Sequence, residues 1–201
     1  MKTVGIYLFD NVEVLDFAGP FEVFSVAQRL HAMASSKPDE QLFDVVTVAE
    51  QKKPVIARGG LNVMPGYAID YHPDLDILIV PGGVVDMELK KQKVVSWIGS
   101  TADSSEITAS VCTGAFLLAH AGVLDDKVVT SNWEDIDELR RRFPEIEVQG
   151  QQRWIDQGHI VTSAGISAGI DMSLHLVSML TGAAHAAKTA KQMDYDWNLN
   201  P

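Results

Sequence analysis

Only one cysteine, Cys112, occurs among the 201 residues. A lone thiol excludes an intramolecular disulfide framework and fits a reducing cytoplasm. Basic residues are also scarce: 16 Lys and Arg against 27 Asp and Glu leave a formal net charge of −11. That balance argues against nucleic acid as a partner, because phosphate binding needs a basic face. The one basic cluster, Arg140-Arg141-Arg142, shares its helical stretch with Glu134, Asp135, Asp137 and Glu138, and reads as a solvated face. Long apolar runs are missing. The run at residues 4–9 is too short for a signal peptide or a membrane span, and reads as a first buried strand. No GxGxxG or Walker-type pattern is present, so no nucleotide cofactor is expected. The six histidines lack metal-ligand spacing, and none neighbours Cys112. Neither a metal centre nor a Cys-His pair is therefore expected. There is no internal repeat.

What is present is an alternation of β-prone and helical stretches, with 46% hydrophobic and 21% charged residues. The length suits one domain over residues 1–201. Strands are expected at residues 4–9, 43–49, 75–80 and 127–130, with another leading into Cys112. Two more, within residues 153–162, turn at Asp156-Gln157-Gly158. Helices are expected from Gly19-Pro20, with the proline in the first turn, and at 86–102, 134–142 (stopped by Pro144) and 167–180. Residues 54–70 read as a small hairpin excursion broken by Gly59-Gly60 and Pro65-Gly66, and 33–40 as a mobile polar loop. This order predicts an α/β fold, a mostly parallel sheet sandwiched by helices.

Sites in such sheets gather at the carboxyl ends of the strands. Three segments would meet there: the loop carrying Asp16, the Gly82-Gly83 turn, and Cys112. A short β-prone run precedes Cys112 and an Ala/Leu-rich run follows it, the pattern of a nucleophile elbow with sulfur in place of oxygen. A thiol over a helix N-terminus would favour the thiolate, whereas a buried cysteine would act as a small hydrophobe. Asp16 lies in an apolar stretch. Desolvation and a neighbouring thiolate would raise its pKa and let it donate a proton, while its position also suits a helix N-cap. Thr113 offers a hydroxyl beside the sulfur or a cap. Gly82 and Gly83 offer backbone N–H groups with close approach, or a tight turn. Gly165, Ile166 and Gly169 mark a strand-to-helix passage that lines the site or packs closely.

Four segments together carry a resemblance: Leu15-Asp16-Phe17-Ala18-Gly19-Pro20, Ile79-Val80-Pro81-Gly82-Gly83, Ser110-Val111-Cys112-Thr113-Gly114-Ala115 and Ala164-Gly165-Ile166-Ser167-Ala168-Gly169-Ile170-Asp171. The chain resembles the PfpI/ThiJ superfamily, of flavodoxin-like, class I glutamine amidotransferase-like fold, and within it the isonitrile (isocyanide) hydratase branch. The resemblance implies that Cys112 attacks the isocyanide carbon and Asp16 moves the protons, with Thr113 beside them. Water then attacks a thioimidate and releases an N-substituted formamide. It implies Gly82, Gly83, Ile166 and Asn132 as substrate contacts, a small-molecule substrate, no metal or other cofactor, and a homodimer that helps close the site. Two positions depart from the pattern. Thr113 stands where peptidase-like relatives carry histidine, and Asn132 stands where the branch often has the histidine of a Thr-Thr-His-Trp run. The ligand-sensing domains of AraC-like regulators share these segments, so a stand-alone sensor is the alternative, with redox sensing by the cysteine another and a different thiol-dependent lyase or hydrolase activity a third. The chain ends at Pro201, which leaves no expected room for a helix-turn-helix module.

Overall fold

A computed structural model describes residues 1–35 and 41–199. Strand β1 (Lys2–Leu8) leads into helix α1 (Val14–Ala34) and strand β2 (Phe43–Ala49). Short strands β3 (Val55–Ile56), β4 (Asn62–Val63) and β5 (Tyr67–Ala68) precede β6 (Ile77–Val80), α2 (Gln92–Ser104), β7 (Ile107–Val111) and α3 (Gly114–His120). Then come β8 (Val128–Val129), α4 (Ile136–Arg142), β9 (Glu147–Val148), β10 (Trp154–Asp156), β11 (Ile160–Ser163), α5 (Ala168–Thr181) and α6 (Ala183–Gln192).

The main sheet has seven strands in the order β10-β11-β7-β6-β1-β2-β5. Every neighbouring pair is parallel except β10 with β11. Burial explains the arrangement: every residue of β6 and β7 is buried, as strands covered on both faces require. Helices α1, α5 and α6 pack on one another, as α2 does on α3, and the helices flank the sheet. Glycine sets the closest approach. A Cβ on Gly114 would lie 2.0 Å from the Val80 carbonyl oxygen, so only glycine lets α3 start against the end of β6.

The expected strand–helix alternation stands, with local corrections. Helix α1 begins at Val14 rather than Gly19, so Pro20 sits inside it and not in its first turn. Lacking an N–H, Pro20 leaves the Asp16 carbonyl without its usual helical partner. The expected helix at 86–102 begins only at Gln92, after a separate 3₁₀ turn at Glu88–Lys90. Strand β8 lies outside the main sheet and pairs with β9 in a two-stranded ribbon. The hairpin excursion is β3 with β4, but β5 joins the main sheet beside β2. Helix α6 has no counterpart in the sequence reading, because its amphipathic face is built from alanine and threonine, with no large apolar side chain to mark it. Of the polar stretch at 33–40, Met33 and Ala34 belong to α1, and 36–40 lie outside the described residues.

Gly114→Ala is expected to lower unfolding free energy by about 2 kcal/mol, since backbone and not a flexible side chain blocks the methyl group. Urea denaturation measures this, and unchanged stability would mean that α3 can shift off β6.

Candidate functional site

The loop after β1 and the turn after β6 are tied by backbone. Glu13 N–H donates to Gly82 O at 2.8 Å and Val84 N–H to Asn11 O at 3.1 Å. Asp16 is the third residue of α1 and is fully buried; its Oδ2 accepts the Gly82 N–H at 3.1 Å. The N-cap is Glu13, so Asp16 is not the cap and its side chain turns inward. A Cβ on Gly82 would lie 2.6 Å from Thr113 N and 2.9 Å from Asp16 Oδ2, so glycine is what lets the three segments converge. Thr113 clasps the turn from the other side. Its Oγ1 accepts the Gly83 N–H at 2.9 Å and donates to Gly83 O at 2.9 Å, and it makes no side-chain cap to α3.

Cys112 joins β7 to α3 with φ 56°, a left-handed conformation that a non-glycine residue adopts at a cost. Its N–H donates to Ser163 O at 3.1 Å, and its carbonyl accepts the Ser131 hydroxyl at 2.9 Å. Ile166, β-branched, has φ 51° and is 45% exposed. Its loop is braced by the Ala164 N–H on Arg153 O at 2.8 Å, while the Arg153 guanidinium pairs with the fully buried Asp171 of α5, Nε to Oδ2 at 2.7 Å.

Electrostatics at the pair depart from the expected thiolate. Burial pushes the Cys112 thiol up to about 12, the Asp16 charge adds to this, and the Thr113 N–H and hydroxyl only partly oppose it. The helix terminus is outweighed by desolvation, so the resting sulfur is a thiol. Asp16 is raised to about 7, chiefly by burial and secondarily by Glu13. The Gly82 and Ile166 N–H groups and the Cys112 thiol lower it. The sulfur therefore does not raise Asp16, as the sequence reading has it, because it acts as a donor. Oδ1 of Asp16 makes no hydrogen bond of ordinary geometry.

A cavity of about 330 Å³ opens at this edge, with Gly83, Cys112, Thr113, Asn132 and Ile166 among its walls. Five expected residues thus meet at one space. Gly82 lies behind it, its N–H committed to Asp16, and the Gly83 N–H is committed to Thr113. Asn132 donates Nδ2 to Asp135 Oδ2 at 3.0 Å, and Gly165 leaves room for it, since a Cβ there would lie 2.7 Å from Asn132 Oδ1. Gly169 packs on Val111 and does not line the space. The sequence reading misses Glu13, Arg58, Trp133, Glu134 and Asp135 on the wall. Adjacency to Asn132 marks the last three, but no sequence signal marks Arg58, which the hairpin excursion brings to Glu13 at 3.2 Å. Among the described residues the wall carries no histidine, no His/Cys/Asp/Glu group is arranged to hold a metal, and no helix is long and apolar enough to cross a membrane.

A carboxyl whose folded pKa exceeds its unfolded value holds its proton longer in the folded state, so its contribution to stability falls as pH rises between the two values. With a shift from 3.8 to about 7, Asp16→Asn is expected to stabilise the protein relative to the unsubstituted chain. The difference should grow from near zero at about pH 4 to about 4 kcal/mol above about pH 8. Chemical denaturation across that range measures it, and a pH-independent difference would show that Asp16 does not titrate there.

Comparison with known proteins agrees with this architecture. The model of the DJ-1/PfpI family matches residues 2–179. Isonitrile hydratase of Pseudomonas putida is 33% identical over 193 residues, covering 96% of this chain and 78% of the hydratase. The transcriptional regulator GbdR of Pseudomonas aeruginosa is 27% identical over 97% of this chain, which spans only 51% of the regulator. A ThiJ/PfpI family structure from Pseudomonas syringae superposes with a TM-score of 0.84 at 24% identity, covering 98% of this chain and 76% of that one. With the family model spanning most of its length, and a hydratase and a regulator domain among its relatives, this chain belongs to the DJ-1/PfpI family.

Proposed function

We propose that the protein is a cytosolic hydratase that converts isocyanides to N-substituted formamides through Cys112 and Asp16. The observation that carries this is a thiol on the wall of a cavity without histidine, hydrogen-bonded to the buried Asp16 carboxyl behind that wall, in a chain 33% identical to an isonitrile hydratase. The ground state is a Cys112 thiol beside Asp16, which is partly ionised near neutrality. Sγ forms a bond to the terminal carbon of R–N≡C while its proton passes to the Asp16 carboxylate. Asp16 returns that proton to the same carbon, giving the thioimidate R–N=CH–S–Cys112. Water adds to the carbon, a proton ends on nitrogen, and the C–S bond breaks to release R–NH–CHO and the thiol. Atoms balance without a redox partner.

In this scheme Thr113 fixes the Gly83 turn and hydrogen-bonds the sulfur, Ile166 aims its N–H at Asp16, and Asn132 and Gly83 face the substrate. Gly82 serves by holding Asp16. A homodimer is the proposed assembly, tested by light scattering against twice 22.0 kDa. The regulator relatives favour a second reading, a ligand-sensing domain that binds without turnover.

With an aryl isocyanide, formamide release is expected for the native protein and none for Cys112→Ala. The kcat/KM profile should rise with pH through about 7, as Asp16 becomes a base. Asp16→Asn should remove that limb and lower kcat/KM by about 100-fold or more. Binding of the isocyanide without formamide would instead support the sensing reading.

A further inference from the structure

Trp133 is 79% exposed, yet it stands on a turn that is fixed to the reactive cysteine. The Ser131 hydroxyl donates to the Cys112 carbonyl at 2.9 Å, and the Asp135 N–H donates to Asn132 O at 2.9 Å, so the chain is tied down on both sides of the indole. Trp133 is a wall common to three cavities. One is the Cys112 cavity, and a second, of about 300 Å³, shares Asn132, Trp133 and Ile166 with it. The third, of about 430 Å³, shares Trp133 and Gln151 with the second. Charge distinguishes the spaces that adjoin the reactive cavity. A hollow of about 230 Å³ shares Gly83 and Thr113 with it and carries Asp86, Glu138 and Arg142. The space beside Trp133 and Ile166 carries a single charged side chain, Arg153, whose guanidinium is spent on the buried Asp171. Gly165 on its wall presents no side chain to fill it.

We propose that the space beside Trp133 and Ile166 is the subsite for the substrate's nitrogen substituent, and that Trp133 selects flat, apolar substituents by stacking on them. That the occupant is a nitrogen substituent rests on the hydratase reading; the preference for flat apolar groups does not. The C≡N–R axis of an isocyanide is linear, so a carbon held at the sulfur sends R straight out into whatever adjoins the reactive cavity. An apolar R entering beside Trp133 strips water from no unpaired charge, whereas the hollow with Asp86 and Glu138 would have to be desolvated to admit it. Indole offers a large rigid face. Contact with it removes apolar surface of both partners from water, and offset stacking adds to that gain. Because the turn is already fixed, little freedom is lost when the group docks.

The test compares 2-naphthyl isocyanide with methyl isocyanide, and the unreactive N-(2-naphthyl)formamide with N-methylformamide. Trp133→Ala is expected to raise KM for the naphthyl substrate by about 10-fold with kcat little changed, the mark of binding lost equally from ground and transition states. For methyl isocyanide both constants should stay within about 2-fold, and Trp133→Phe, which keeps a flat face, should recover most of the naphthyl loss. Calorimetric titration needs no turnover. The unsubstituted protein should bind the naphthyl formamide at least about 10-fold more tightly than the methyl one, and Trp133→Ala should erase that difference. A loss shared by both substrates, or a naphthyl preference that survives Trp133→Ala, overturns the proposal. So does a Trp133→Ala protein whose mass in light scattering falls while naphthyl affinity holds, since a second copy then covers the indole. If isocyanides are hydrated without a Trp133-dependent preference, this inference falls alone. If the formamide preference depends on Trp133 but no isocyanide is hydrated, the hydratase reading falls alone.

Discussion

The hydrogen bond from Gly82 N–H to Asp16 Oδ2 joins the turn after β6 to the first turn of α1 around a carboxyl with no solvent exposure. Its neighbours follow from that constraint. Gly82 has to be glycine because a Cβ would strike both Asp16 and Thr113. Thr113 in turn occupies the amide and carbonyl of Gly83, so the turn cannot drift away from β7. The backbone at Cys112 and Ile166 then adopts left-handed values, pressed there by the segments packed beside them. Asp16 meets the sulfur because three strand ends are sewn into one unit, each closing off the alternatives of the others.

Much of this was legible in the sequence. The apolar run ending at Val80 marked a strand buried on both faces, and the helix-and-strand alternation fixed which loops share the sheet edge. Cys112, Asp16 and the two glycines followed from that rule alone. The start of α1 was not legible, because Pro20 signals a first turn and the real first turn, at Val14, has no side-chain cap. The clasp by Thr113 was hidden for another reason: a threonine beside a helix start looks like a cap, and only the packed turn shows its hydroxyl spent on Gly83. Arg58 reaches the site through a hairpin whose docking no local pattern encodes. The state of the sulfur was misread because a dipole argument is local, whereas desolvation depends on everything packed around the group.

The family holds a hydratase and regulator domains on one framework, so the fold does not decide between them. What separates such functions is the lining. Here threonine follows the cysteine, an asparagine amide faces Asp135, and acidic side chains with one tryptophan surround the opening. In the proposed reading the cysteine–carboxylate pair carries the chemistry, and the lining is where this chain differs from its relatives' common frame.

A cysteine that is 9% exposed and kept protonated has a further consequence for the life of the protein. Peroxide and soft electrophiles attack thiolates, so a resting, largely buried thiol reacts slowly with them. Chemical restraint at rest lets the chain's one thiol last through oxidising episodes that would exhaust an open thiolate.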